Sequence, residues 1–225
     1  MTILVGVICS DAILLAADSQ FTDGIGRIWP NEQVLVAQAG LPAITNRIVE
    51  IMQRNAKSVV IKEALTVTKI AEDAIRELKN ELDEEQWTYG QHAGGAEVML
   101  AFYANRKPCL YTLNVYGHGV AETAIPSHYA TAGAGASVAD YLLAEIAEAG
   151  LPHSVAAATV IYVIKKVKER LKGSCGGETK IKALGLFSQS SLENPITDIL
   201  CLSIKHRRTK RKKSFVRLIQ EFKKL

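Results

Sequence analysis

Strand-like and helix-like segments are sorted into blocks along this chain, and that sorting limits the folds it can adopt. ILVGVIC, ILLAAD and VLVAQAG (residues 3–9, 13–18 and 34–40) are rich in Val, Ile and Leu, with a short turn at Asp11 between the first two. They read as core strands of one sheet. From Ala43 the apolar residues Ile44, Ile48, Ile51 and Met52 recur at helical spacing, and Val67, Ile70, Ala74, Leu78 and Leu82 mark a second helix. VMLAFYA and PCLYTLNVYG flank a polar ANRKP turn and open a second sheet, with Pro108 near a strand start where its missing N–H is tolerable. Ser137 and Asp140 form an S-x-x-D start for the helix SVADYLLAEIAEA, which Gly150 and Pro152 end, and a further helix from Ser154 to Lys172 is stopped by Gly173. KALGLFS and ITDILCLSIK add two closing strands. Two sheets with two helix pairs predict an α+β fold, a four-layer α/β/β/α sandwich.

At 225 residues and 48% hydrophobic content the chain can bury one large core. No repeat or low-complexity linker divides it, so residues 1–204 are expected to form one domain and residues 205–225 a basic extension. No apolar run approaches the ~20 residues of a membrane span, and no basic residue precedes the first one. The four cysteines lack a CxxC pair and the five histidines lack metal-ligand spacing, which predicts a reduced, cytoplasmic protein with no metal and no cofactor.

The net charge of +4 hides an asymmetry, because residues 205–225 carry +9 and the remainder −5. KHRRTKRKK would suit nucleic acid, an acidic protein surface or anionic lipid, and its plain reading is a solvated terminus. It contains no Phe, Trp or Tyr on which bases could stack, which argues against nucleic acid. SFVRLIQEFKKL then sets Phe215, Leu218, Ile219, Phe222 and Leu225 on one helical face, fit to dock on a neighbouring subunit or on the protein's own flank.

Several local motifs, in this order, carry a resemblance: TILVGVICSDAILLAADSQFTDG at the start, AGL at residues 39–41 leading into a helix, GGAEVMLAFY, YATAGAG before a helix, and SCGG between a helix and a strand. Together they resemble the proteasome β-subunit family and its bacterial relatives, which are N-terminal-nucleophile hydrolases, over the chain up to about residue 204. The resemblance implies that Thr2, exposed by removal of Met1, is a nucleophile whose own α-amine takes its proton, an amine with an ordinary pKa of ~7.7–8.0. It implies that the Gly40 N–H is an oxyanion donor, that Gln38 makes the floor of the specificity pocket polar, and that Asp18 is the acid that orients a catalytic lysine. At the lysine's position stands Arg27, which can pair with Asp18 but cannot shuttle a proton. The plain alternatives are a structural Asp18–Arg27 ion pair, an outward-facing Gln38 and an ordinary strand-to-helix turn at Gly40.

Three further positions depart from the family pattern. Ala134 stands where a serine lies between two glycines, and in KGSCGG Lys172 replaces an acid and Cys175 a serine. A cation at 172 would lower the pKa of the α-amine, and Cys175 would donate only a weak hydrogen bond unless Ser174 takes its place. The first function implied is a threonine-type endopeptidase in a self-compartmentalised homo-oligomeric ring, acting on polypeptide and leaving room for an unfoldase or regulator. The alternatives are a catalytically silent ring subunit for assembly or gating, a protein that binds through its basic tail, and an amidase that holds an anionic small substrate with Arg27 and Lys172.

Overall fold

The structure, a computed structural model, describes residues 2–18, 25–28, 34–56, 59, 63–84, 96–115, 122–124, 128–185 and 202–204. The chain opens with an antiparallel hairpin, β1 (Ile3–Ile8) and β2 (Ala12–Asp18), paired Leu4 to Ala17 through Ile8 to Ile13. β3 (Ile25–Ile28) and β4 (Val34–Ala39) follow, then helices α1 (Pro42–Ala56) and α2 (Ala64–Glu84). β5 (Ala96–Ala104), β6 (Lys107–Val115), β7 (Glu122–Ala124) and β8 (Tyr129–Gly133) precede α3 (Ala136–Ile146) and α4 (His153–Arg170). β9 (Thr179–Gly185) and β10 (Leu202–Ile204) complete the described elements.

The strands form two five-stranded antiparallel sheets, ordered β10-β9-β2-β1-β8 and β3-β4-β5-β6-β7. Period-two alternation then builds three apolar layers. Ile3, Val5, Val7, Leu14 and Ala16 pack against Val160, Ile164 and Val167 of α4 and Leu143 of α3. Leu4, Ile13, Leu15 and Ala17 face Leu35, Ala37, Met99 and Leu110 of the other sheet. Val34, Val36, Val98, Leu100 and Phe102 pack against Ile48, Met52, Val67 and Ala74 of α1 and α2. The result is the α/β/β/α sandwich expected from the block order.

Two expectations are corrected. VLVAQAG does not join the first hairpin's sheet: β4 pairs with β3 and β5, while β1 and β2 take β8 and β9 on their free edges. A buried strand's composition states that it is covered on both faces and leaves its lateral partner open. Nor does S-x-x-D start α3. The helix begins two residues earlier, with Gly135 at the cap and no side-chain cap bond, and the Asp140 carboxylate instead accepts the Thr131 hydroxyl of β8 at 2.6 Å. The basic extension at 205–225, with its amphipathic face, lies outside the described residues.

α4 is fastened to the first hairpin through Asp11, whose carboxylate accepts the His153 N–H at 2.8 Å and the His153 Nδ1–H at 2.6 Å. Partial burial pulls the Asp11 carboxyl upward, but the bonds from His153 and its charge outweigh this and leave it below the ordinary carboxylate value. A carboxyl lowered on folding adds stability above its unfolded pKa, and that stability is lost as pH falls through the folded value. The side chains are 46% and 40% exposed, so the contribution is modest. Asp11→Asn is expected to cost about 0.5–1 kcal/mol at neutral pH. Urea unfolding of both proteins should show this difference shrinking to nothing in acid.

Candidate active site

The β1–β2 register brings the start of the chain beside the end of β2. Ile3, the residue after Thr2, donates its N–H to Asp18 Oδ1 at 3.2 Å, and Gly176 donates its N–H to Asp18 Oδ2 at 2.8 Å. Asp18 is fully buried, so its carboxylate ties the strand behind Thr2 to the Gly176-Gly177 turn that follows α4.

Thr2 itself is 2% exposed, enclosed where the ends of the two sheets meet. On its β8 side, Gly133 pairs with Ile3 and has a φ of 87°. A β-carbon at Gly133 would lie 2.2 Å from the Thr2 carbonyl oxygen and 3.3 Å from Ala39 Cβ at the end of β4. The Gly133 N–H in turn donates to the Glu97 carboxylate of β5, directly across from Ala39. β1, β4, β5 and β8 thus converge on Thr2.

β4 leads out of this corner through Gly40, whose φ of 116° is open to glycine and rarely to other residues. The Leu41 carbonyl then accepts the N–H groups of Ile44 and Thr45 as α1 begins. Gln38 is half-buried and shares the face of Val34 and Val36, turned toward α1. The two residues therefore sit two positions apart beside the corner that holds Thr2, with Gln38 on the helix side of its strand.

Burial raises the Asp18 carboxyl, against the opposing pull of the Gly176 and Ile3 N–H groups and of the positive charge of Lys168. Lys168 stands in the last turn of α4 and donates its ammonium to the Gly177 carbonyl at 3.0 Å and to the Thr179 hydroxyl at 2.9 Å. Burial lowers this lysine, and the negative charge of Asp18, more than that of Glu178, resists the shift. The Cys175 thiol is buried and pushed up to about 11, chiefly by burial and further by Asp18. It is therefore protonated at neutral pH, a weak donor and no nucleophile.

Asp18 lies beside the start of β1, bonded to the N–H of the residue after Thr2. The backbone of Arg27 pairs with Leu35 in β3–β4, and the expected Asp18–Arg27 pair, which depends on the Arg27 side chain, lies outside the described residues. Lys172 is exposed, and Ala134 is exposed between Gly133 and the buried Gly135. Cys175 occupies the inner position of its turn, within 3.3 Å of where a Gly135 β-carbon would lie.

Sequence reading missed Lys168 and Glu97. Lys168 carried a usable signal, because it extends the buried stripe of Ile161 and Ile164 by one helical step, where an apolar residue is the norm. Glu97 carried none, since one carboxylate at the head of a strand resembles any other. Among the described residues no group of three or more His, Cys, Asp or Glu is placed to hold a metal, and no helix is long and apolar enough to cross a membrane.

Two stacked antiparallel sheets between helix pairs, with the chain start enclosed at their common end, define the N-terminal-nucleophile type of sandwich. The description "Proteasome subunit" matches residues 2–179, and the chain belongs to the proteasome subunit family. Its fold is similar to that of Anbu, the ancestral β-subunit from Yersinia bercovieri, with 15% identity and a TM-score of 0.67 over 99% of this chain and 93% of that one. It is similar also to Anbu from Pseudomonas aeruginosa, solved as a helical assembly, with 14% identity and a TM-score of 0.68 over 99% and 92%. A comparison with curated proteins gave no match.

Proposed function

We propose that this chain is the subunit of a cytoplasmic, homo-oligomeric, proteasome-like chamber that cuts polypeptide with Thr2 as N-terminal nucleophile. The observation that carries this reading is the fully buried Asp18, which accepts the N–H of the residue after Thr2 and so fixes the chain start between the two sheets. Once Met1 is removed, the Thr2 hydroxyl attacks a peptide carbonyl as its proton passes to the α-amine. An ester forms on Thr2 Oγ, and the leaving amine of the substrate collects that proton. Water, deprotonated by the same α-amine, then hydrolyses the ester and restores the hydroxyl. The Gly40 N–H stabilises the oxyanion in both halves, and Gln38 borders the pocket for the substrate side chain. Confinement in an assembly supplies selectivity for unfolded chains, in keeping with the helical assembly of the Pseudomonas aeruginosa Anbu complex.

The second reading is a catalytically silent subunit. It is favoured by Ala134, which brings no hydroxyl to the site, and by the protonated thiol of Cys175. Intact mass before and after treatment with an electrophile that needs both a threonine hydroxyl and a free α-amine separates the two. Loss of Met1 followed by a single adduct on Thr2 is the expected result. Retained Met1, or a free Thr2 that stays unmodified, selects the silent subunit.

A further inference from the structure

A fully buried carboxylate needs a balancing charge, and β2 and β3 bring no lysine to Asp18. One cation whose charge acts on Asp18 stands in the helix layer packed on this sheet. Asp18 and Thr179 are directly paired across β2 and β9, and the Lys168 ammonium is bonded to the Thr179 hydroxyl at 2.9 Å and to the Gly177 carbonyl at 3.0 Å. The segment that Lys168 grips is the one whose Gly176 N–H binds Asp18, at 2.8 Å. Carboxylate and ammonium thus close on one short stretch of chain, the first from a strand and the second from the end of a helix.

We propose that Lys168 is the positioning residue that balances the buried charge of Asp18 and thereby holds Thr2 in place, the task that the sequence resemblance assigns to Arg27. Its catalytic consequence rests on the Thr2 reading; the pairing with Asp18 does not. α4 takes over a role for which β3 offers an arginine, and the site keeps its charge balance without a strand lysine. Lys168 does not touch the reacting atoms: it acts through Asp18, the Ile3 amide and the Gly176 turn.

The test compares Lys168→Met, Lys168→Gln, Lys168→Arg and Arg27→Met. The electrophile that labels Thr2 is followed by intact mass to give kinact and KI. Loss of the charge in Lys168→Met and Lys168→Gln should lower kinact by about 100-fold with KI nearly unchanged, the cost of a small misplacement of the nucleophile. Glutamine keeps a donor for Thr179, so its effect separates lost charge from lost packing. Lys168→Arg should recover most of the rate. Unchanged labelling in the charge-removing variants, or a loss confined to Arg27→Met, overturns the proposal and leaves the nucleophile reading standing.

If the parent protein itself is not labelled, the nucleophile reading falls, and the pairing is decided by urea unfolding of Asp18→Asn, Lys168→Gln and the double variant. Non-additive losses, with the double variant about as stable as the worse single one, support the pair. Additive losses overturn it.

Discussion

Replacement of Thr2 by alanine is expected to abolish hydrolysis of fluorogenic peptides and of unfolded polypeptide, a fall of at least about 10⁴-fold in kcat/KM, because no other group can donate the attacking oxygen. The substitution removes a hydroxyl and a methyl group from a residue at the edge of the sandwich, so unfolding in urea should move by no more than about 1–2 kcal/mol. Thr2→Ser keeps the hydroxyl and the α-amine and should retain measurable turnover. Activity that survives in Thr2→Ala would belong to a different nucleophile and end the reading. The buried Cys175, held protonated, is poorly suited to take over. The experiment therefore reports on Thr2 with little interference from the neighbouring thiol.

The second large effect is expected at Gly133. Alanine there would adopt a φ of 87° and set its β-carbon 2.2 Å from the carbonyl oxygen of Thr2, a contact between two backbone-anchored atoms that no rotamer can relieve. Gly133→Ala should lose at least about 3 kcal/mol, a large share of the ~5–15 kcal/mol typical of a domain. Because Gly133 also donates its N–H to Glu97, the displacement would spread to the mouth of β5. Urea unfolding measures the first effect, and the labelling rate of Thr2 measures the second. By contrast Ala134, the neighbour that departs from the family serine, is exposed, and Ala134→Ser should leave stability within about 0.5 kcal/mol. Normal stability and labelling in Gly133→Ala would show that the end of β8 does not enclose the chain start.

The two glycines around Ala134 illustrate how site and fold are joined. Gly133 is demanded by the backbone of Thr2, and a β-carbon at Gly135 would lie 2.6 Å from Val167 of α4 and 3.3 Å from Cys175 Sγ. Sequence reading looked at the missing hydroxyl between them. The geometry places the stronger constraint on the glycines themselves, since a lost hydroxyl costs one hydrogen bond whereas a β-carbon there collides with backbone or core.

The sequence by itself determined the layers. Branched apolar runs with period two and amphipathic stretches with period 3.6 follow from local chemistry, so eleven segments could be read as strand or helix without any partner in view. The short turn read at Asp11 is what folds the first hairpin back on itself in the structure and brings Asp18, which the resemblance had singled out, beside the start of β1. Only the tertiary structure decided that β4 joins the second sheet, that Thr131 rather than a helix terminus takes Asp140, and that Lys168 of α4 is bonded to the same short turn that binds Asp18. The reason is physical. Each of these depends on which buried surface finds which other, over separations such as the 150 residues from Asp18 to Lys168, and a side chain's local neighbours carry no record of a partner that only packing brings close.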